Sequence, residues 1–269
     1  MGQFTYTTPT GTTKGLFEDM VNQTHLLVAG ASGSGKSVLI NGLITTLMYR
    51  FPLDVAGGAQ FILIDPKRVE LSPYKDTPHC IGYASEPEEM VAMLRKAIDI
   101  TQSRYREMNA RRLRTYDGSD IYVFIEELAD LMTTNRREVQ PLIQRLCQIG
   151  RASRVRVVVA TQTPIVKVIP TEIKVNFDST VALRTRCAQD SRNIIGVNGA
   201  ECLPRYGECL YYTPEQGKVL RYDVPYIDEA EQGRLIRWWE HQTMKEEMKP
   251  APLPLPTQKR GFLQRLIGR

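Results

Sequence analysis

Short apolar runs of strand length recur along the chain at 25–30, 60–65, 121–125, 155–161 and 180–183, and stretches with helical spacing separate most of them. That alternation predicts an α/β fold with a mostly parallel central sheet flanked by helices on both faces. The longest helical pattern covers 87–114, where Val91, Leu94, Ala97, Ile98, Ile100 and Tyr105 share an apolar face and Pro87 suits a first turn. Its second half concentrates Arg104, Arg106, Arg111, Arg112 and Arg114, which suits a DNA-facing edge, a solvated helix end or a subunit contact. Residues 208–222 read as a hairpin, followed by a helix over 228–247 that carries Leu235, Ile236, Trp238 and Trp239.

Four segments follow from this pattern. Residues 1–22, rich in Thr and Gly with little hydrophobic period, form a lead-in to a core of 23–225. A C-terminal helix of 226–249 comes next, and 250–269 joins a stretch with proline at alternate positions to a basic amphipathic tail. The tail suits docking of a recruiting protein or a membrane surface, or a frayed end.

Composition narrows the class. The 269 residues, 42% hydrophobic and 24% charged, exclude a collagen or a wholly disordered chain. A net charge of +5 is too mild to argue for a polyanionic partner unless basic residues cluster locally. Five cysteines without C-x-x-C pairs and three histidines give no zinc spacing, which predicts reduced thiols in a cytoplasmic protein. Neither a secretory leader nor a run long enough to span a bilayer is seen.

The strongest chemical signal is Gly30-Ala31-Ser32-Gly33-Ser34-Gly35-Lys36-Ser37, between an apolar strand and a helical pattern. Its glycines let backbone N–H groups face one concavity, Lys36 suits the β- and γ-phosphates, and Ser37 suits Mg²⁺. Binding of a nucleoside triphosphate follows. A second signal is the apolar run 121–125 ending in Glu126 and Glu127. There Glu126 would serve the metal and Glu127 the attacking water, the alternative being a helix N-cap or a solvated turn. Gln162, at the end of 155–161, is placed to reach the γ-phosphate or the water, or to be a satisfied structural amide. Arg151 suits a trans-acting arginine at a subunit boundary, or plain surface charge.

Taken together, the phosphate-loop segment, Ile64–Leu71 (IDPKRVEL), the Glu-Leu-Ala-Asp-Leu-Met that follows the acidic strand, and ATQTP resemble the FtsK/SpoIIIE family of DNA translocases. The resemblance spans about residues 22–225. It implies a RecA-like P-loop motor that uses ATP and Mg²⁺ and forms a ring, usually a hexamer, around double-stranded DNA. Lys36 and Ser37 match the family's phosphate and magnesium residues, Glu127 its catalytic glutamate and Arg151 its arginine finger. Lys174 and Arg192 match positions that face DNA.

Three departures stand out. Thr163 replaces an arginine, Ala188 stands where lysine is common, and Glu126 stands where the family has aspartate. Lys167, Arg184 and Arg186 lie near the first two and are candidate substitutes, as phosphate contacts that read no sequence. The longer side chain of Glu126 moves its carboxylate outward by roughly one C–C bond, about 1.5 Å. The resemblance further implies a stand-alone motor of the kind that suits plasmids, conjugative elements or phages. Two other functions remain open: a related protein-secretion ATPase, and an ATP-binding coupling module with little turnover.

Overall fold

The computed structural model describes residues 2–7, 13–18, 24–53, 58–165, 167–224 and 226–242. The proline-rich stretch, the basic tail and the end of the expected C-terminal helix lie outside the described residues. Among the described residues there are ten strands and seven α-helices: β1 (Gly2–Thr7), β2 (Thr13–Glu18), β3 (His25–Ala29), α1 (Lys36–Arg50), β4 (Ala59–Ile64), β5 (Cys80–Ala84) and α2 (Pro87–Arg111), then β6 (Asp120–Ile125), α3 (Leu128–Thr134) and α4 (Arg136–Ser153). After them come β7 (Val155–Thr161), α5 (Thr171–Lys174), β8 (Ser179–Ala182), α6 (Ala188–Ile195), β9 (Glu208–Tyr212), β10 (Val219–Asp223) and α7 (Glu229–Gln242).

Eight strands form one sheet in the order β10-β9-β8-β3-β7-β6-β4-β5. The six from β8 to β5 pair in parallel, and the β9–β10 hairpin extends one edge antiparallel. Period-two alternation along each strand divides the core. Leu26, Val28, Phe61, Leu63, Tyr122, Phe124, Val158 and Ala160 face α1 and α7. Leu27, Ile62, Ile64, Val123, Ile125, Val157 and Val159 face α2, α3 and α4. Strands covered on both faces read as unbroken apolar runs, which is why the central ones were legible as such. The fold is that of a RecA-like P-loop NTPase.

The structure departs from the sequence expectations at a few places. Within the lead-in, residues 2–7 and 13–18 form an antiparallel pair of strands beside β10, which its weak hydrophobic period did not announce. Thr-rich composition marks strands as well as loops, because a β-branched side chain suits a pleated surface. Strand β5 was not anticipated; its residues are only half-buried until Ala84, since it is the edge strand. Of the five arginines at the end of the long helical pattern, two have internal partners: Arg104 is buried, donates to Ser153 O at 2.8 Å and stacks on Tyr116, and Arg111 pairs with Glu107 and Asp117, while Arg106, Arg112 and Arg114 are exposed. Helix α7 joins the main core, with Trp239 edge-on to His79 at 4.3 Å. Among the described residues no helix is long and apolar enough to cross a membrane.

Candidate functional site

In a parallel sheet the strands all end at one edge, where the connecting loops collect the polar groups the core cannot hold. The ends of β3, β4, β6 and β7 bring together the phosphate loop, the 65–72 turn, the carboxylate pair and Thr161-Gln162.

The loop after β3 is fixed from both neighbouring strands. Gly30 N donates to Thr161 O at 3.3 Å and Ala31 N to Arg184 O at 2.8 Å. Gly33 (φ +68°) and Gly35 (φ +96°) take the left-handed conformation that lets the chain curl. A Cβ on Gly30 would lie 2.7 Å from Ser34 Oγ and 2.8 Å from Leu183 Cβ, so this position too is closed to side chains. Helix α1 begins at Lys36 with no side-chain cap and no acid in its first turn, leaving its first N–H groups to an anion. Lys36 is buried and donates to Gly30 O and Ala31 O at 3.0 and 3.1 Å. Burial pulls its pKa down to about 8, against the attraction of Glu127 and Glu126. Ser37 lies half-buried in the same first turn.

The adjacent carboxylates at the end of β6 have opposite surroundings. Glu127 caps α3 through Ala129 N (3.2 Å) and receives Thr161 Oγ1–H at 2.6 Å and Gln162 N–H at 3.1–3.2 Å. Glu127 is thus the helix N-cap that was one of the two sequence readings of this pair. Glu126 is also buried, but its Oε2 has no hydrogen-bond partner. Its nearest cation is Lys67 Nζ at 3.7 Å, which also stands 3.6 Å from Glu127 Oε2. Burial pushes the Glu126 carboxyl up to about 7; Lys67 opposes the rise, and Glu127 and Asp65 add to it. A buried carboxylate oxygen with no hydrogen bond and only a lysine at 3.7 Å fits a divalent cation.

Sequence reasoning quoted Lys67 without giving it a role. It is presented by a turn that Asp65 organises: Asp65 Oδ2 accepts from Leu71 N (2.9 Å) and Ser72 N (3.2 Å). Thr161 was missed as well, although a hydroxyl ending an otherwise apolar strand was a visible signal. Gln162 borders a small cleft with Ala31 and Arg186.

The other expected site residues fall in three places. Arg151 is exposed near the start of β7, at the edge of the sheet opposite the phosphate loop and about 20 Å away by strand length. It borders a cavity of about 530 Å³ with Arg154 and Arg156. Lys174 and Arg192 come together on α5 and α6, where Lys174 Nζ donates to Asn193 O at 2.8 Å and Arg192 bonds Asn198 and Gln189. Lys167 is exposed on the preceding loop. Arg184 and Arg186 are instead at the phosphate loop, bordering a cavity of about 440 Å³ with residues 31–34.

Residues 8–122 match the model of the FtsK/SpoIIIE family. The chain is 39% identical over 236 residues to DNA translocase FtsK of Chlorobaculum tepidum, covering 80% of this chain and 29% of that protein. It spans about a third of the length of the curated relatives it matches. Among solved structures, the pCW3 conjugation coupling protein TcpA, a monomer form with ATPγS, superposes with TM-score 0.71 at 20% identity, over 87% of this chain and 69% of that one. EssC (ATPases 2 and 3) from Geobacillus thermodenitrificans superposes with TM-score 0.75 at 15% identity, over 95% and 51%. By the domain match and by sequence similarity across most of its length, the chain contains a domain of the FtsK/SpoIIIE family.

Proposed function

We propose that this chain hydrolyses ATP and couples the hydrolysis to movement along double-stranded DNA. The observation that carries the enzymatic part is the carboxylate pair beside a complete phosphate loop, with Glu127 held by hydrogen bonds and Glu126 Oε2 met only by Lys67 at 3.7 Å. Glu127 Oε1 is taken by three donors, while Oε2 shares only the Gln162 N–H and the Lys67 ion pair and has capacity for a water. Glu126 Oε2 and Ser37 would hold Mg²⁺, which supplies charge neutralisation at the phosphates when bound. Lys36, now on loop carbonyls, would turn to the β- and γ-phosphates, and Gln162 would line the path of the water.

The DNA part is supported by the similarity to proteins named DNA translocase FtsK. Lys174, Arg192 and Lys167 are the basic side chains proposed to face the duplex as sequence-blind phosphate contacts. Arg151 cannot serve the phosphate loop of its own subunit across the sheet, so it would act on a neighbour's nucleotide, in a ring that we take to be a hexamer. The test is steady-state ATPase without DNA, with long linear duplex and with single strands, over a salt series. Stimulation by duplex that fades as salt rises is expected. Turnover indifferent to both nucleic acids would remove DNA as the substrate, and absence of turnover would remove the enzyme. For the ring, mixing in Arg151→Ala chains should depress turnover more than dilution does; simple dilution would sink the trans role.

A further inference from the structure

The outer side of the phosphate loop carries a cluster of cations that the roles above leave unused. Residues 31–34 form one wall of a cavity of about 440 Å³, and Arg184, Arg186 and Arg205 form the other. Arg205 packs on the loop's apex: a Cβ on Gly33 would lie 3.4 Å from its Nη2. Its guanidinium rests against the Tyr206 ring at 5.1 Å. Arg184 belongs to the segment whose carbonyl holds Ala31 N, and Arg186 borders both this cavity and the Gln162 cleft.

These arginines are set apart by sharing one cavity with the phosphate loop while carrying no counter-ion among the described residues. Arg111, Arg154, Arg156 and Arg221 each pair with a carboxylate. None of Arg184, Arg186 and Arg205 has an ion pair among the described residues. Glu201, the acid bordering the cavity, has its carboxylate on Gly199 N at 2.8 Å, and backbone N–H bonding holds its pKa below the usual carboxylate range. A wall of unpaired guanidiniums facing backbone that curls around an anion is suited to phosphate oxygens.

We propose that Arg205, with Arg184 and Arg186, is a cis-acting cationic wall that binds the phosphates of the nucleotide held by the same subunit's loop. This rests on the nucleotide-binding part of the function proposed above. It moves Arg184 and Arg186 from the duplex to the nucleotide, and adds Arg205, whose role no sequence motif announced.

The experiment is calorimetric titration of the full chain with ATPγS, ADP and AMP, alongside anisotropy of a short fluorescent duplex. The variants are Arg205→Ala, Arg184→Ala/Arg186→Ala, Lys36→Ala and, as a control for overall charge, Arg106→Ala on α2. All the arginines are exposed, so these variants should keep the wild-type melting temperature. Each wall variant is expected to weaken ATPγS by about tenfold, as for loss of one charge-assisted hydrogen bond. AMP should be affected less than ATPγS, duplex binding should be unchanged, and Arg205→Lys should recover part of the loss. Unchanged ATPγS affinity in the wall variants, with binding abolished in Lys36→Ala, would overturn the wall and leave the loop reading standing. An equal loss in Arg106→Ala, or lost duplex binding with ATPγS affinity intact, would also overturn it. Failure of the wild-type chain to bind ATPγS would remove both.

Discussion

The two edges of the parallel sheet treat charge in opposite ways. At the edge where strands begin, Asp120 takes Arg154 through Nε and Nη2 at 3.1 and 2.5 Å and Arg156 through Nε at 3.0 Å. Arg104 is satisfied there by the Ser153 carbonyl and the Tyr116 ring. At the edge where strands end, Glu126 Oε2, Asp65 Oδ1 and Ser34 Oγ are buried without hydrogen-bond partners, and Lys67 stands loosely between two carboxylates. Burying polar atoms unpaired costs stability; His25 Nε2 is one such atom at the starting edge, but the ending edge gathers three unpaired oxygens beside the phosphate loop, an arrangement suited to a ligand. Paired charge serves the fold; incompletely paired charge awaits a ligand.

The contrast breaks most sharply through Glu127, the carboxylate at the ligand edge that accepts the most hydrogen bonds. Replacing it by Gln preserves shape and most hydrogen bonding but removes the base. Turnover should fall by about 10³-fold while ATPγS affinity and melting temperature stay near wild type. Substantial residual turnover would show that the base lies elsewhere. The opposite result is expected from Asp120→Ala, which strands Arg156 and Arg154 beside each other without their counter-ion. Stability in urea should drop by about 3 kcal/mol with ATPγS affinity retained at temperatures where the variant is folded. An equally stable variant would mean that the starting edge is not held by charge pairing.

Much of this division was legible in the chain. The runs 121–125 and 155–161 announced buried strands, and G-x-x-x-x-G-K-S announced the loop, because both depend on neighbours in sequence. What stayed hidden depends on distant pairing. Asp120 and Arg156 lie 36 positions apart and meet because β6 and β7 are adjacent. Lys67 reaches the carboxylates because β4 lies on the other side of β6. The hairpin of β1 and β2 was obscured by threonines that suit turns and strands alike. Arg184 and Arg186 were assigned to the duplex as substitutes for basic residues missing at Thr163 and Ala188, whereas the end of β8, next to β3, delivers them to the phosphate loop.

Titration separates Glu126 from a satisfied carboxylate. Its folded pKa of about 7 stands above the 4.5 of an unperturbed glutamate, so between those values the folded chain keeps a proton that the unfolded chain has lost. The stabilising contribution of this group is complete below about 4.5 and is lost as pH rises through about 7. In metal-free and nucleotide-free protein, Glu126→Gln should therefore gain on wild type between pH 5 and pH 8, by on the order of 2 kcal/mol in urea unfolding. Parallel stability profiles for the two proteins would show that Glu126 is ionised at no cost and has a partner after all.

The smallest effect tests how the ligand edge holds Glu127 in place. Thr161 Oγ1 gives its proton to Glu127 Oε1 and accepts from Thr163 N at 3.1 Å, linking the carboxylate to the loop after β7. Valine keeps the branched shape and removes the hydroxyl, while Gln162 N and Ala129 N still reach the carboxylate. The side chain then swings more widely, and kcat should fall by about tenfold with KM unchanged, since the positioning matters only when the water is attacked. Thr161→Ser, which returns the donor without the methyl, should recover most of kcat. A rise in KM of the same size, or equal losses in Val and Ser variants, would assign Thr161 to strand packing, and the fixed carboxylate would then owe its place to the backbone of α3 and β7 alone.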